Sequence, residues 1–178
     1  MRFAFSVLAT AMTFALGSST SLSAQLPTAE ETVAFIVMGV ADNPELALYI
    51  PDGKVTREQI SSSPARYELL AANPYEQTKF GFSVSQDRDC VYDITLEVLD
   101  QPEVTFRIEA RLDFSGVWAI DDGRDSVSFE GLMFDCSPKT ECRQFFDGNR
   151  FGGGTRSNAR IKKAGAFFQD NFCPGAPF

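Results

Sequence analysis

Histidine is absent from this chain of 178 residues. Histidine is the usual general base near neutral pH and the commonest metal ligand, so the chain lacks the residue that most often has either role. The chain also has no G-x-S-x-G motif, no phosphate-binding P-loop and no G-x-G-x-x-G dinucleotide motif. These absences argue against a serine or cysteine hydrolase and against a nucleotide-dependent enzyme. No cofactor is predicted.

Cysteine is scarce but even in number, and the four cysteines show no C-x-x-C spacing. Without histidine or that spacing, a zinc site is not expected, and no metal site is predicted. An even count in an exported chain favours two disulfides. Of the three possible pairings we favour Cys136–Cys142, which closes a short loop, together with Cys90–Cys173, which ties a strand to the C-terminal helix.

Long apolar runs are also lacking beyond the first residues. The first 24 residues are typical of a secretory signal peptide. Arg2 is followed by an apolar run (3–16) and by an exit sequence (21–24), and cleavage is predicted after Ser23 or Ala24. No later stretch reaches the roughly 20 apolar residues needed to span a bilayer. We therefore expect a signal peptide in residues 1–24 and one globular domain in residues 25–178. The mature protein would be exported, either periplasmic or secreted, without a membrane span.

The clearest pattern present is the alternation of apolar and polar residues over 90–114, broken only at 100–103. It predicts an antiparallel hairpin with one buried and one solvent-facing side. Opposite charges favour each other across a strand pair, so we expect Glu97 opposite Arg107 and Asp93 opposite Arg111. These charges are interpreted as a solvated sheet face and not as a carboxylate active site.

Weaker patterns predict the remaining elements. Thr28 and Glu31 form a capping box at the start of a helix that ends before Asp42. A second helix is predicted with Ser157 or Asn158 as its cap, and its apolar stripe consists of Ile161, Ala164, Gly165, Phe168 and Phe172. Strands are predicted over 46–50, 76–85, 116–120 and 126–134, with Trp118 in the core. Residues 56–60 are expected to form a helical turn, and 86–89 and 121–123 to form turns. Residues 63–73 fit a helix or a strand, and we favour a strand.

Together these elements predict an α+β fold stapled by disulfides. An antiparallel meander of about five to seven strands would carry an N-terminal and a C-terminal helix packed on its apolar face. A half-closed barrel is one form that such a sheet can take.

One segment, 139–163, is basic in a chain whose net charge is −8. Within it a glycine run leads into the C-terminal helix, and helix N-termini together with backbone amides favour anions. The candidate anion- or partner-binding residues are Arg150, Gly152, Gly153, Gly154, Thr155, Arg156 and Arg160. The alternative is a surface loop whose basic residues offset the acidic sheet. Because the domain is acidic overall, nucleic acid is not expected as a partner.

Phenylalanine is abundant, with 17 residues, and offers a second functional hypothesis. A Phe-lined space between sheet and helix can hold a small apolar ligand, although the same residues can pack a dense core. We therefore expect a non-catalytic exported binding protein for a small apolar molecule or for an anionic or acidic partner. The alternatives are a structural or inhibitor-like interaction module, and a hydrolase that uses only carboxylates such as Asp121, Asp122 and Asp125.

Overall fold

The computed structural model of the protein describes residues 26–39, 54–72, 77–100, 103, 106–123, 126–145, 148–152 and 158–174. It is an α+β structure, as predicted. The helices are α1 (Ala29–Met38), α2 (Lys139–Phe145) and α3 (Asn158–Asn171). The strands are β1 (Lys54–Ser62), β2 (Ala65–Ala72), β3 (Gln77–Arg88), β4 (Val91–Val98), β5 (Arg107–Asp113), β6 (Ala119–Asp122), β7 (Ser126–Glu130), β8 (Met133–Ser137) and β9 (Arg150–Gly152).

The strands form two antiparallel sheets. The larger sheet has six strands in the order β1-β2-β3-β4-β5-β8, and the smaller has three in the order β6-β7-β9. Strands β1 and β8 are the two edges of the large sheet, so this sheet is open and not closed into a barrel. Its first five strands form the predicted meander, because each one pairs with the next in sequence.

The central hairpin is formed by β4 and β5 in the predicted register. Asp93 pairs with Arg111 and Glu97 pairs with Arg107. The side chains that alternate with these charged residues are buried; they are Tyr92, Ile94 and Leu96 on β4 and Ile108, Ala110 and Leu112 on β5. The alternation in the sequence therefore corresponds to a buried and a solvent-facing side of the sheet.

Helix α1 begins where the capping box predicts. The Thr28 hydroxyl accepts a hydrogen bond from the Glu31 amide at 3.1 Å, and the Glu31 carboxylate accepts one from the Thr28 amide at 2.8 Å. The helix ends at Gly39, which adopts the left-handed conformation (φ 66°) suited to glycine. The stripe of Val33, Ile36 and Val37 is buried.

Two predictions for the first half of the sheet are wrong. Residues 56–60 belong to strand β1 and not to a helical turn, because β1 pairs along its length with β2. Such pairing is a tertiary contact that overrides a weak local preference. Strand β3 continues through the predicted turn at 86–89 as far as Arg88, and the chain reverses at Asp89 and Cys90. The strand predicted over 46–50 lies outside the described residues.

The second half of the sheet departs further from the prediction. The stretch 116–120 does not continue the large sheet: after the turn at Ser115 and Gly116, Ala119 starts β6 of the small sheet. Trp118 is 63% exposed and not part of the core. Gly131 (φ 90°) divides the stretch 126–134 into β7 and β8, which belong to different sheets. Asp121 and Asp122 lie in β6 and not in a turn, since they pair with Ser128 and Val127. Helix α2 and strand β9 were not predicted.

Helix α3 packs where the two sheets meet. Tyr92, Phe114, Phe129 and Phe168 are buried there, and the Phe168 ring centroid lies 4.8 Å from that of Phe114 and 5.5 Å from that of Tyr92. Gly165 allows the close approach: a Cβ atom at this position would lie 2.8 Å from the Phe129 ring. A larger residue would push α3 away from the small sheet.

Both predicted disulfides are present. Cys90–Cys173 joins the start of β4 to the end of α3, and Cys136–Cys142 joins β8 to α2. Disulfides are typical of oxidising compartments, so the pair is consistent with an exported protein. Among the described helices, none combines the length and the apolar character that crossing a membrane requires.

Candidate functional site

The predicted anion-binding residues are only partly described by the structure. Arg150 is exposed on β9, where it pairs with Ser128, and Gly152 ends that strand opposite Ser126. Gly153, Gly154, Thr155 and Arg156 lie outside the described residues. That this segment binds an anion or an acidic partner therefore stays a prediction.

Arg160, the remaining residue of that set, lies in the first turn of α3 and faces α1. Its guanidinium carbon lies 5.7 Å from the centroid of the Phe35 ring, a cation–π distance. This contact fixes Arg160 beside an aromatic side chain of the neighbouring helix. It therefore joins the basic segment to a mainly apolar surface between the two helices.

That surface is a groove of about 510 Å³, which we call the α1–α3 groove. Its volume falls within the range of about 300–1,000 Å³ usual for small-molecule sites. One face of α3 and one face of α1, together with the residue before the Thr28 cap, line it: Pro27, Glu31, Thr32, Phe35, Arg160, Lys163, Ala164 and Phe167. The contributions of α3 are spaced i, i+3, i+4 and i+7, as one helical face requires.

The apolar part of the groove consists of Pro27, Phe35, Ala164 and Phe167. The small side chain of Ala164 lies between Lys163 and Phe167 on this helix face and is partly buried, packed against the core. Phe167 precedes the buried Phe168 and is only partly buried. An apolar ligand lying here would cover aromatic surface that is otherwise in contact with water.

Among the described residues that line the groove, Glu31 is the one acidic side chain, and several donors bind its carboxylate. Its carboxylate accepts hydrogen bonds from the Thr28 amide and from the Gln59 side-chain amide. Burial alone raises the pKa of Glu31, but these bonds, with others from Ser62 and the Thr28 hydroxyl, outweigh burial and place the pKa below its ordinary value. Glu31 is therefore ionised at neutral pH, and its charge is stabilised within α1 and β1.

Lys163 and Lys162 are adjacent, yet their side chains have different surroundings. Lys163 lines the groove, whereas the Lys162 ammonium group lies 3.5 Å from the Asp122 carboxylate on β6. Both are exposed. Two lysines of equal charge on one helix therefore provide a matched pair, one inside the groove and one outside it.

The arrangement of the carboxylates considered for hydrolysis does not favour acid–base chemistry. Asp121 and Asp122 are both exposed on β6, and Asp122 is paired with Lys162. Asp125 lies outside the described residues. Among the residues that the structure describes, no three acidic or cysteine side chains are grouped so that they could hold a metal ion.

Most residues of the groove were not singled out from the sequence. The pair Phe167-Phe168 carried a partial signal, since only one of two adjacent residues can lie on the buried stripe of a helix. Phe35 similarly lies off the stripe of Val33, Ile36 and Val37. The periodicity of the sequence does not, however, indicate that α1, which ends at Met38, and α3, which begins at Asn158, place their solvent-facing sides next to each other.

Comparison of the chain with protein families, with curated proteins and with solved structures found no match. The functional interpretation therefore depends on the groove itself.

Proposed function

We propose that this chain is an exported binding protein that holds a small, mainly apolar ligand in the α1–α3 groove. The observation that supports the proposal is the lining of the groove, in which Phe35, Phe167, Pro27 and Ala164 form apolar surface beside a few polar side chains. Small-molecule sites commonly have this composition, because apolar area contributes affinity and a few polar groups fix orientation.

Export is supported by the signal-like sequence of residues 1–24 and by the two disulfides. Intact-mass measurement of the protein recovered from the periplasm or the medium tests this part of the proposal. The expected mass lacks residues 1–23 or 1–24 and four hydrogen atoms. A mass that retains the first 24 residues would contradict it.

The binding proposal is tested with N-phenyl-1-naphthylamine, an uncharged apolar probe whose fluorescence rises in apolar surroundings. The test variant is Ala164→Leu, which places three additional carbon atoms in the groove. The matched control is Ala166→Leu, which adds the same atoms at an exposed position two residues along α3. We expect Ala164→Leu to weaken probe binding by about tenfold or more, since the added isopropyl group competes for the same space.

Thermal unfolding of both variants separates loss of the groove from loss of the fold. If Ala164→Leu unfolds too readily, Phe167→Ser provides a second variant, because it removes apolar lining from a partly exposed position. The proposal is rejected if the probe does not bind the unmodified protein, or if folded Ala164→Leu binds it as well as Ala166→Leu does.

A further inference from the structure

The two ends of the α1–α3 groove differ in chemistry, and this difference specifies a class of ligand. The direction of the helices follows from their anchors. At the start of α1 the Thr28 hydroxyl donates a hydrogen bond to the Ser62 carbonyl at the end of β1, and the end of α3 is linked by the Cys173–Cys90 disulfide to the start of β4. Both anchors lie at the same end of the large sheet, because β2 begins opposite Val84 and Val84 pairs with Ile94 near the start of β4.

The helices are therefore antiparallel, and the residues of the groove can be placed along it. Arg160 lies beside Phe35, which is near the end of α1. Phe167 lies two turns further along α3, at the end where Pro27 precedes α1. The seven residues from Arg160 to Phe167 correspond to about 10 Å along the helix axis. One end of the groove is thus cationic; the other combines the apolar side chains of Pro27 and Phe167 with the Glu31 carboxylate, which accepts a hydrogen bond from the Thr28 amide.

The cationic end contains two basic side chains of α3, Arg160 and Lys163. They are three residues apart, which places them on the same helix face with a rise of about 4.5 Å. Glu31 supplies the opposing charge within the groove, but it lies on the α1 turn before Phe35 and accepts hydrogen bonds from Thr28 and Gln59. An anionic group is therefore favoured at the Arg160 end and disfavoured towards Glu31.

The apolar side chains at the other end are Pro27 and Phe167. Leu26, directly before Pro27, is 74% exposed. An acyl chain that lies against these side chains is removed from water, whereas an anionic head group at the same end would be repelled by the Glu31 carboxylate.

We infer that the ligand is a single-chain amphiphile with a carboxylate head group. The carboxylate lies at Arg160 and Lys163, and the chain runs past Ala164 towards Phe167 and Pro27. This inference rests on the proposed function of the groove and adds the ligand class and its direction of binding. The basic residues of α3 supply the preference for an anion, and the length of the groove suits a medium-length chain.

The experiment compares three compounds with the same ten-carbon chain: decanoate, decanol and decyltrimethylammonium. Each is titrated against the mature, oxidised protein loaded with N-phenyl-1-naphthylamine, and displacement of the probe is measured. We expect decanoate to displace the probe at a concentration about threefold to fivefold lower than decanol, as for a partly exposed ion pair, and decyltrimethylammonium to be the weakest. Added salt should reduce the advantage of decanoate, because it screens exposed charges.

Charge variants then locate the head group. Lys163→Gln and Arg160→Gln should bring the concentrations for decanoate and decanol close to each other, whereas Arg160→Lys should preserve the difference. The matched control is Lys162→Gln, which loses the same charge but lies against Asp122 outside the groove. It should leave the preference for decanoate unchanged.

The outcomes distinguish this inference from the function on which it rests. If neither the probe nor any of the three compounds binds, the proposed function and the inference are both rejected. If decanol displaces the probe as well as decanoate does, the groove binds apolar ligands but the inference is overturned. It is also overturned if Lys162→Gln removes the preference as fully as Lys163→Gln, since the effect would then reflect net charge alone.

Discussion

Gly116 and Gly131 lie backbone against backbone at the place where the chain passes from the large sheet to the small one. A Cβ atom on Gly116 would lie 2.9 Å from the Gly131 carbonyl oxygen, and one on Gly131 would overlap the Gly116 carbonyl group. Gly131 also has a φ of 90°, which side chains of L-residues rarely adopt. This contact lies where β7 ends and the chain returns to the large sheet as β8.

Gly131→Ala is therefore expected to destabilise the protein by about 2 kcal/mol or more, because it combines a strained backbone conformation with a steric overlap. Urea unfolding followed by circular dichroism measures the change. The matched control is Gly148→Ala, where φ is 59° and no heavy atom of the described residues lies within 4 Å of the added Cβ. This control should cost only about 1 kcal/mol, and an equal cost for both variants would contradict the close contact.

Trp118 gives a direct spectroscopic test of the same region, because it is the only tryptophan in the chain. At 63% exposure its fluorescence emission should resemble that of indole in water and be readily quenched by acrylamide. Trp118→Ala should change the free energy of unfolding by less than about 1 kcal/mol. Phe129→Ala, which removes a fully buried ring nearby, should cost about 3–5 kcal/mol. A blue-shifted, poorly quenched emission would mean that Trp118 is buried.

Stability should decrease in acid because the pKa values of Glu31 and Asp113 are lowered in the folded protein. For Asp113, burial raises the pKa, but hydrogen bonds from Ser115 and the charges of Arg88 and Arg111 outweigh burial, so the pKa lies below its ordinary value. A carboxyl group with a lowered folded pKa stabilises the fold above its unfolded pKa, and this contribution is lost as the pH falls through the folded pKa. The free energy of unfolding should therefore fall from about pH 5 to below pH 3.

Glu31→Gln tests the share of this residue in the acid response. The variant should be less stable than the unmodified protein at pH 7, and the difference should diminish as the pH falls through the lowered folded pKa of Glu31. Gln59→Met removes one of the donors to Glu31 and should give an intermediate effect. A constant difference across the pH range would show that the Glu31 charge does not contribute.

The Tyr92 hydroxyl is buried and has no hydrogen-bond partner among the described residues. Burial, followed by the charges of Glu30 and Asp89, raises the pKa of Tyr92 to about 12. Because the hydroxyl is desolvated and no described residue compensates it with a hydrogen bond, Tyr92→Phe should be neutral or stabilise the protein by about 1 kcal/mol. Urea unfolding at pH 7 provides the measurement. A loss of more than about 1 kcal/mol would indicate a hydrogen bond to this hydroxyl.

The sequence alone determined the features that depend on local patterns. The alternation over 90–114 defined β4 and β5, and the charge pairs Asp93–Arg111 and Glu97–Arg107 selected their register, because a shift would oppose like charges. The capping box defined the start of α1, since both of its hydrogen bonds form between residues three positions apart. Cysteine number and spacing were enough to favour the correct disulfides.

Only the tertiary structure decided which segments leave the large sheet and which helix faces meet. Trp118 is a large aromatic residue and was predicted in the core, but it follows the turn at Gly116 and is 63% exposed. The α1–α3 groove likewise depends on the packing of two helices from opposite ends of the chain. Periodicity identifies the face that a helix buries against the sheet, whereas the position of its remaining side chains relative to another helix is determined by packing.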